Sequence, residues 1–195
     1  MNLTLAVTGA SGALLAQQML LALEHDARVE RIFFIASEHS LRVIAEELEI
    51  SGRHDLLSKL LGASSQKITQ LSNEDIAAPI ASGSYPSDGM VILPCSMGTL
   101  AGIANGMAGN LIERAADVCL KERRRLMLCV RETPFNRIHL RNMLLAEEAG
   151  ATIYPVVPAF YIKPVDTTEL AKQFVARVLT HIGLPQANMF RWKHD

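Results

Sequence analysis

The residues most able to do chemistry fall in small groups along the chain. The first is Thr8-Gly9-Ala10-Ser11-Gly12-Ala13. Glycine permits a tight turn and close backbone approach, and a helix starting there aims free N–H groups and its positive dipole end at a phosphate. Ser11 adds a hydroxyl donor. The same residues also make an ordinary strand-to-helix turn, and local sequence leaves both readings open. The G-x-G-x-x-G spacing of a dinucleotide site is missing, so a nucleotide bound here fits a mononucleotide such as FMN better than NAD.

A second group, Pro94-Cys95-Ser96-Met97-Gly98-Thr99, follows the apolar run GMVIL and offers another helix N-terminus with two hydroxyls. Ser96 reads equally well as a helix N-cap. Cys95 lacks a basic neighbour and reads as a small buried residue, not a nucleophile. Further on, Arg114 and Lys121 are seven apart, so one helix face carries both. They sit among Leu111, Ala115 and Val118 and are candidates to hold an anionic leaving group, whereas Arg123 and Arg124 read as a solvated helix end. Glu47 lies at the edge of the stripe Leu41, Ile44, Leu48. Partly out of water, its pKa would rise towards general acid/base use, although local pattern alone favours a solvent-reaching glutamate. Late in the chain, Pro158-Ala159-Phe160-Tyr161, Arg177 and Trp192 combine a phenol, a guanidinium and an aromatic face, suited to a phosphate and an allylic cation. Trp192 by itself reads as a tail residue.

Short apolar runs at residues 3–7, 31–36, 89–93, 125–130 and 152–154 alternate with longer amphipathic segments, including one at 41–49. Such runs read as buried parallel strands, so the fold class is α/β, a doubly wound parallel sheet with helices on both faces. Residues 51–81 are the least legible, with one strand near Ile68. Ligands of such sheets bind beyond the strands' carboxyl ends, where the chain carries Gly9 to Gly12, Ser37, Ser96 and Arg131-Glu132-Thr133. No repeat or linker interrupts residues 1–195, which read as one domain.

The composition, 49% apolar and 20% charged, is that of a globular chain and excludes a fibrous or disordered one. A net charge of -1 provides no basic field for nucleic acid. Cys95, Cys119 and Cys129 have no metal-ligand spacing, and no metal is expected. The N-terminal residues read as a first strand and not a secretory leader, and no apolar run approaches the roughly 20 residues of a membrane span. A cytoplasmic protein is the expectation.

Taken together, GASGA at Gly9, ASGS-Y-DGMVI-PCSM from Ala81, NLI-RAADV-LKERRRL from Asn110, CVRETP at Cys129 and PAFY at Pro158 resemble the UbiX-type flavin prenyltransferase family. The likeness covers essentially the whole chain, and the LKERR and RETP pair, in this order and separation, is highly specific. The resemblance implies a flavodoxin-like sheet in a homo-oligomer, commonly a dodecamer, with FMN at subunit interfaces. Reduced FMN would be a substrate, alkylated by dimethylallyl phosphate at N5 and C6, and the product would serve a UbiD-type decarboxylase. Position by position, it implies flavin contacts at Gly9, Ala10, Ser11, Ser37, Ser96, Met97, Gly98, Thr99 and Arg131. Catalytic roles fall to Glu47, Glu132 and Ser11, and dimethylallyl phosphate contacts to Arg114, Lys121, Tyr161, Arg177 and Trp192. The chain departs from the common family pattern at Glu38-His39-Ser40, at Gly98 and at Leu14 to Gln18.

Two rivals share the flavin loops. One is an FMN-dependent decarboxylase of cysteine-like substrates, which carries a catalytic His and a Pro-x-Met-Asn motif where this chain has PCSM. The other is a flavin-delivery protein without chemistry, which has no use for Lys121, Tyr161, Arg177 and Glu47 together. A short-chain dehydrogenase would need Tyr-x-x-x-Lys, which is absent.

Overall fold

The computed structural model describes residues 1–50 and 54–192, so residues 51–53 of the least legible segment lie outside the described residues. Six parallel strands are ordered β3-β2-β1-β4-β5-β6. They are β1 (Asn2–Val7), β2 (Arg31–Ala36), β3 (Ile68–Leu71), β4 (Gly89–Cys95), β5 (Arg125–Val130) and β6 (Thr152–Ile153). The strand near Ile68 is present as the edge strand β3, paired to β2 through Ile32 and Ile68.

Every central strand is apolar on both faces, and alternate residues enter different cores, as a two-residue period requires. Leu3, Leu5, Phe34, Val91, Met127 and Cys129 point to one face. It is covered by α1 (Ala13–His25), α2 (Glu38–Leu48), α3 (Leu56–Leu61) and α7 (Thr167–His181). Ala6, Ile35, Met90, Ile92, Leu128 and Val130 point to the other. There α4 (Met97–Ala104), α5 (Leu111–Lys121) and α6 (Arg137–Glu148) lie. The chain leaves β1 for one face through α1 and leaves β4, its sheet neighbour, for the other through α4. The crevice between those two strand ends is the topological switch point, where such sheets bind ligands.

Helix ends are fixed by side chains at the expected positions. Ser37, Ser96, Asn110, Asn136 and Asp166 each accept from the backbone N–H three residues on. α1 is different. Its N-cap is Gly12 at φ 133°, a conformation that favours glycine, and Gly12 has no side chain with which to cap. α6 also stands apart, because it buries only Asn142 and Ala146. Ile138, Leu140, Leu144 and Leu145 on it are exposed.

Candidate active site

Thr8 joins the two loops at the switch point. It is 1% exposed, and its hydroxyl donates to Pro94 O at 2.9 Å while accepting from the Ser96 N–H at 2.7 Å. Its own N–H also donates to Pro94 O. A single side chain therefore sets the Gly9–Gly12 turn against the Ser96–Thr99 loop. Local pattern carries no sign of this role, because its partners lie more than 80 residues away.

The turn itself is tightly packed. A Cβ on Gly9 would stand 2.5 Å from the His39 Cβ, so a side chain there would drive the turn away from α2. Ser11 is exposed, and its hydroxyl makes no hydrogen bond to the described residues. The N–H groups of Gly12 and Ala13 are not free for a phosphate, contrary to expectation. Both donate to the Glu47 carboxylate, at 3.0 and 2.7 Å. Glu47 thus supplies from α2 the cap that Gly12 cannot make, and its negative charge sits at the positive end of α1. Glu47 is exposed, as the local pattern favoured, and not partly out of water as the acid/base alternative would have it. Its position at the stripe's edge holds, but the carboxylate reaches over to the turn and ends beside Ser11.

The second loop is open to a ligand. Ser96 Oγ accepts from Thr99 N at 3.4 Å and lies 3.1 Å from Thr99 Oγ1, which leaves the Met97 and Gly98 N–H groups without partners among the described residues. A Cβ on Gly98 would meet open space. Cys95 is fully buried, and burial pushes its thiol up to about 12, so it is no nucleophile. Residues 131–138 are exposed. Arg131 has no ion-pair partner among the described residues, and the Glu132 carboxylate accepts from the Thr133 N–H. Ser37 Oγ serves as the N-cap of α2, accepting from Ser40 N at 3.2 Å. The free N–H groups, hydroxyls and guanidinium around the switch point are the donor set that a flavin mononucleotide requires, with open space at Gly98 to admit it.

The phosphate-binding candidates divide into two sets. Tyr161 and Arg177 line one small cavity with Tyr154, Val157, Phe174 and Phe190. The Trp192 ring stands edge-on to Tyr161 with centroids 5.2 Å apart, and the Phe190 ring lies 5.7 Å away. Arg177 has no carboxylate partner among the described residues. Tyr154, missed in the sequence, belongs to this cavity; burial pushes its hydroxyl up, and the Arg177 charge opposes that shift.

Arg114 and Lys121 form the second set, and they share a helix face as their spacing predicted. Arg114 Nε donates to Ala81 O at 3.0 Å and Nη1 pairs with Asp117 at 2.7 Å. Lys121 pairs with Glu122 beside Gly83. Within one chain, however, this set does not meet the first. α5 packs on one face of the sheet and α7 on the other. The eleven residues of α5 also carry Lys121 about 16 Å from the helix start, down to the edge where β5 begins.

No group of three or more His, Cys, Asp or Glu among the described residues could hold a metal ion. No helix among them is long and apolar enough to cross a membrane. A cavity of about 890 Å³ around Gln18, Asp26, Lys172 and Gln186 lies between α1 and α7, near the strand N-terminal ends and away from these residues.

Fold and site together define a flavoprotein of the mononucleotide type, and the family model described as Flavoprotein matches residues 1–180. The chain is 42% identical over 194 residues to the flavin prenyltransferase UbiX of Halalkalibacterium halodurans, covering 98% of this chain and 93% of that protein. It belongs to the UbiX flavin prenyltransferase family. Among solved structures, AnUbiX (PadA1) in complex with FMN and dimethylallyl pyrophosphate superimposes with a TM-score of 0.88 at 41% identity, covering 99% of this chain and 97% of that one. A dodecameric FMN-dependent UbiX-like decarboxylase from Escherichia coli O157:H7 gives a TM-score of 0.89 at 40% identity, with both chains covered completely.

Proposed function

We propose that this protein transfers the dimethylallyl group of dimethylallyl phosphate to reduced FMN, and that residues 1–195 act as one catalytic domain in a cytoplasmic homo-oligomer, a dodecamer. The observation that carries the reading is Arg177, a guanidinium without a carboxylate partner among the described residues, lining one cavity with the Tyr161 phenol that Trp192 abuts. A protein that only stored or delivered flavin has no use for such a group. The cysteine-decarboxylase reading calls for a Pro-x-Met-Asn motif, where this chain has Pro94-Cys95-Ser96-Met97.

Bound reduced FMN supplies the electron-rich N5 and C6 positions. The chain's task is to make the allylic C–O bond break, with its electrons leaving on the phosphate. Arg177, the Tyr161 hydroxyl, Lys121 and Arg114 neutralise the departing charge, and a preorganised cluster does so without the reorganisation that water would need. The Trp192 face stabilises the allylic cation. N5 takes the allylic carbon and gives up its proton. Ring closure then adds a proton to the prenyl double bond, joins the resulting cationic carbon to C6 and releases the C6 proton. Glu47 beside Ser11, or Glu132, donates and accepts these protons. Ser37, Gly9, Ala10, Ser11, Arg131 and the Ser96–Thr99 loop hold the flavin.

The two cationic sets stand on opposite faces of one sheet, so they serve one phosphate only when a second copy brings its Lys121 and Arg114 to the Tyr161 cavity. The exposed apolar side chains of α6 are the kind of surface that an oligomer buries. The prenylated FMN then leaves for a UbiD-type decarboxylase. The test is anaerobic incubation with reduced FMN and dimethylallyl monophosphate, followed by mass spectrometry of the released flavin. A flavin heavier by one dimethylallyl unit supports the reading; bound but unmodified FMN refutes it in favour of flavin delivery.

A further inference from the structure

Gly83 lies in the loop between the short 3-10 turn at Pro79–Ala81 and β4. Its backbone is not in the left-handed region, unlike that of Gly12, Gly62, Gly106, Gly150 and Gly183, so conformational freedom does not account for glycine at this place. The neighbouring side chains do. A Cβ built on Gly83 would overlap the Glu122 carboxylate oxygen and stand 2.5 Å from Lys121 Nζ. The loop is fastened on both sides of this point. Arg114 Nε donates to Ala81 O at 3.0 Å, Arg124 Nη2 donates to Gly83 O at 2.6 Å, and the Ser82 and Ser84 hydroxyls are 2.8 Å apart. Two arginines that flank Lys121 on α5 and its terminus thus hold the loop's carbonyls, and the ammonium lies against the gap that the missing side chain leaves.

We propose that Gly83 is a positioning residue for the Lys121 ammonium, fixing, together with the Glu122 carboxylate, where that charge meets the leaving phosphate. The proposal rests on the reading of Lys121 as a ligand of dimethylallyl phosphate. The groups in the way of a Cβ are the far ends of two flexible side chains, so Gly83→Ala is absorbed by swinging the ammonium and carboxylate aside. The backbone stays where the two arginine hydrogen bonds to its carbonyls hold it. Folding is then little affected, while a charge-assisted hydrogen bond to the phosphate is lost.

The experiment is steady-state turnover of the full chain with reduced FMN and dimethylallyl monophosphate, beside calorimetric binding of dimethylallyl monophosphate to protein loaded with oxidised FMN. Gly83→Ala should raise KM and weaken that binding by roughly 10- to 100-fold, the size of one charge-assisted hydrogen bond. The value of kcat should fall as well, by roughly 10-fold or more, because the displaced ammonium no longer neutralises the departing phosphate, while FMN affinity and the melting temperature should not move. In a Lys121→Ala background, where turnover is lost, the same substitution should weaken the calorimetric binding by less than about a further twofold, because no ammonium remains to displace. A wild-type KM in Gly83→Ala overturns the proposal, as does an undiminished effect without Lys121. A collapse of the melting temperature also overturns it, since the clash would then fall on the backbone. Wild-type protein that makes no prenylated flavin would instead remove the proposed function on which it rests.

Discussion

Replacing Thr8 with valine tests how the two flavin loops are held together. Valine matches threonine in shape, so no cavity opens and the change isolates the hydroxyl. Pro94 O keeps a partner, because the Thr8 N–H still donates to it at 3.2 Å. The Ser96 N–H loses the acceptor it had at 2.7 Å. An orphaned donor costs about 1–3 kcal/mol, more than the net worth of the bond itself. For a chain of 195 residues, about 2 kcal/mol lowers the melting temperature by roughly 4–8 °C. The Ser96–Thr99 loop is also released, so FMN affinity should fall at least about tenfold, the equivalent of about 1.4 kcal/mol. Thr8→Ser keeps the hydroxyl and loses one methyl group, and should retain FMN affinity while melting only slightly earlier. Thermal melting and fluorescence titration with FMN read both effects. A valine variant that melts and binds like the wild type would refute the reasoning, and so would a serine variant as damaged as the valine one.

Glu47→Gln should keep an acceptor for the Gly12 and Ala13 N–H groups and bind FMN nearly as well, while prenyl transfer slows by at least about 100-fold; rapid-quench turnover beside FMN titration checks this. Glu47→Ala removes the cap of α1 and should cost a further 0.5–2 kcal/mol, roughly, by chemical denaturation. Burial pushes the Cys95 thiol up to about 12 and the Cys119 thiol to about 11, so a thiol-reactive disulfide reagent at pH 8 should label neither until denaturant is added. The Arg28 guanidinium beside Asp26 holds that carboxyl well below its ordinary value of 3.8, with the Arg28 and Gln186 hydrogen bonds contributing. Its stabilising effect is therefore complete at neutral pH and is lost as the pH falls below about 4. Asp26→Asn should lower the melting temperature at pH 7 and make progressively less difference in acid.

Much of the fold is written in local pattern. The central positions of β1, β2, β4 and β5 are apolar apart from the buried Thr4, because both faces are covered. Residues 51–81 resisted reading because α3 and β3 are short edge elements, whose few apolar contacts leave no clear period. The site was legible by residue type and not by partnership. The Gly9–Gly12 turn reads as an anion cradle, yet the Gly12 N–H and that of Ala13 after it are taken by the Glu47 carboxylate, 35 and 34 residues away. Thr8, Gly83 and Glu122 act through neighbours far apart in sequence, which neither spacing nor periodicity can reveal. The division of the cations between two sheet faces follows from topology alone.

The claim on which most depends is that one leaving phosphate is held by Tyr161 and Arg177 of one copy and Lys121 of another. Its most direct test uses oligomers mixed from equal amounts of Lys121→Ala and Arg177→Ala chains, with the mass of the released flavin as the readout. Each variant alone should release unmodified FMN. The mixed oligomers should regain prenylated FMN at about a quarter of the wild-type rate, since about one interface in four unites an intact Lys121 with an intact Arg177. Mixed oligomers no more active than either variant alone would contradict the account.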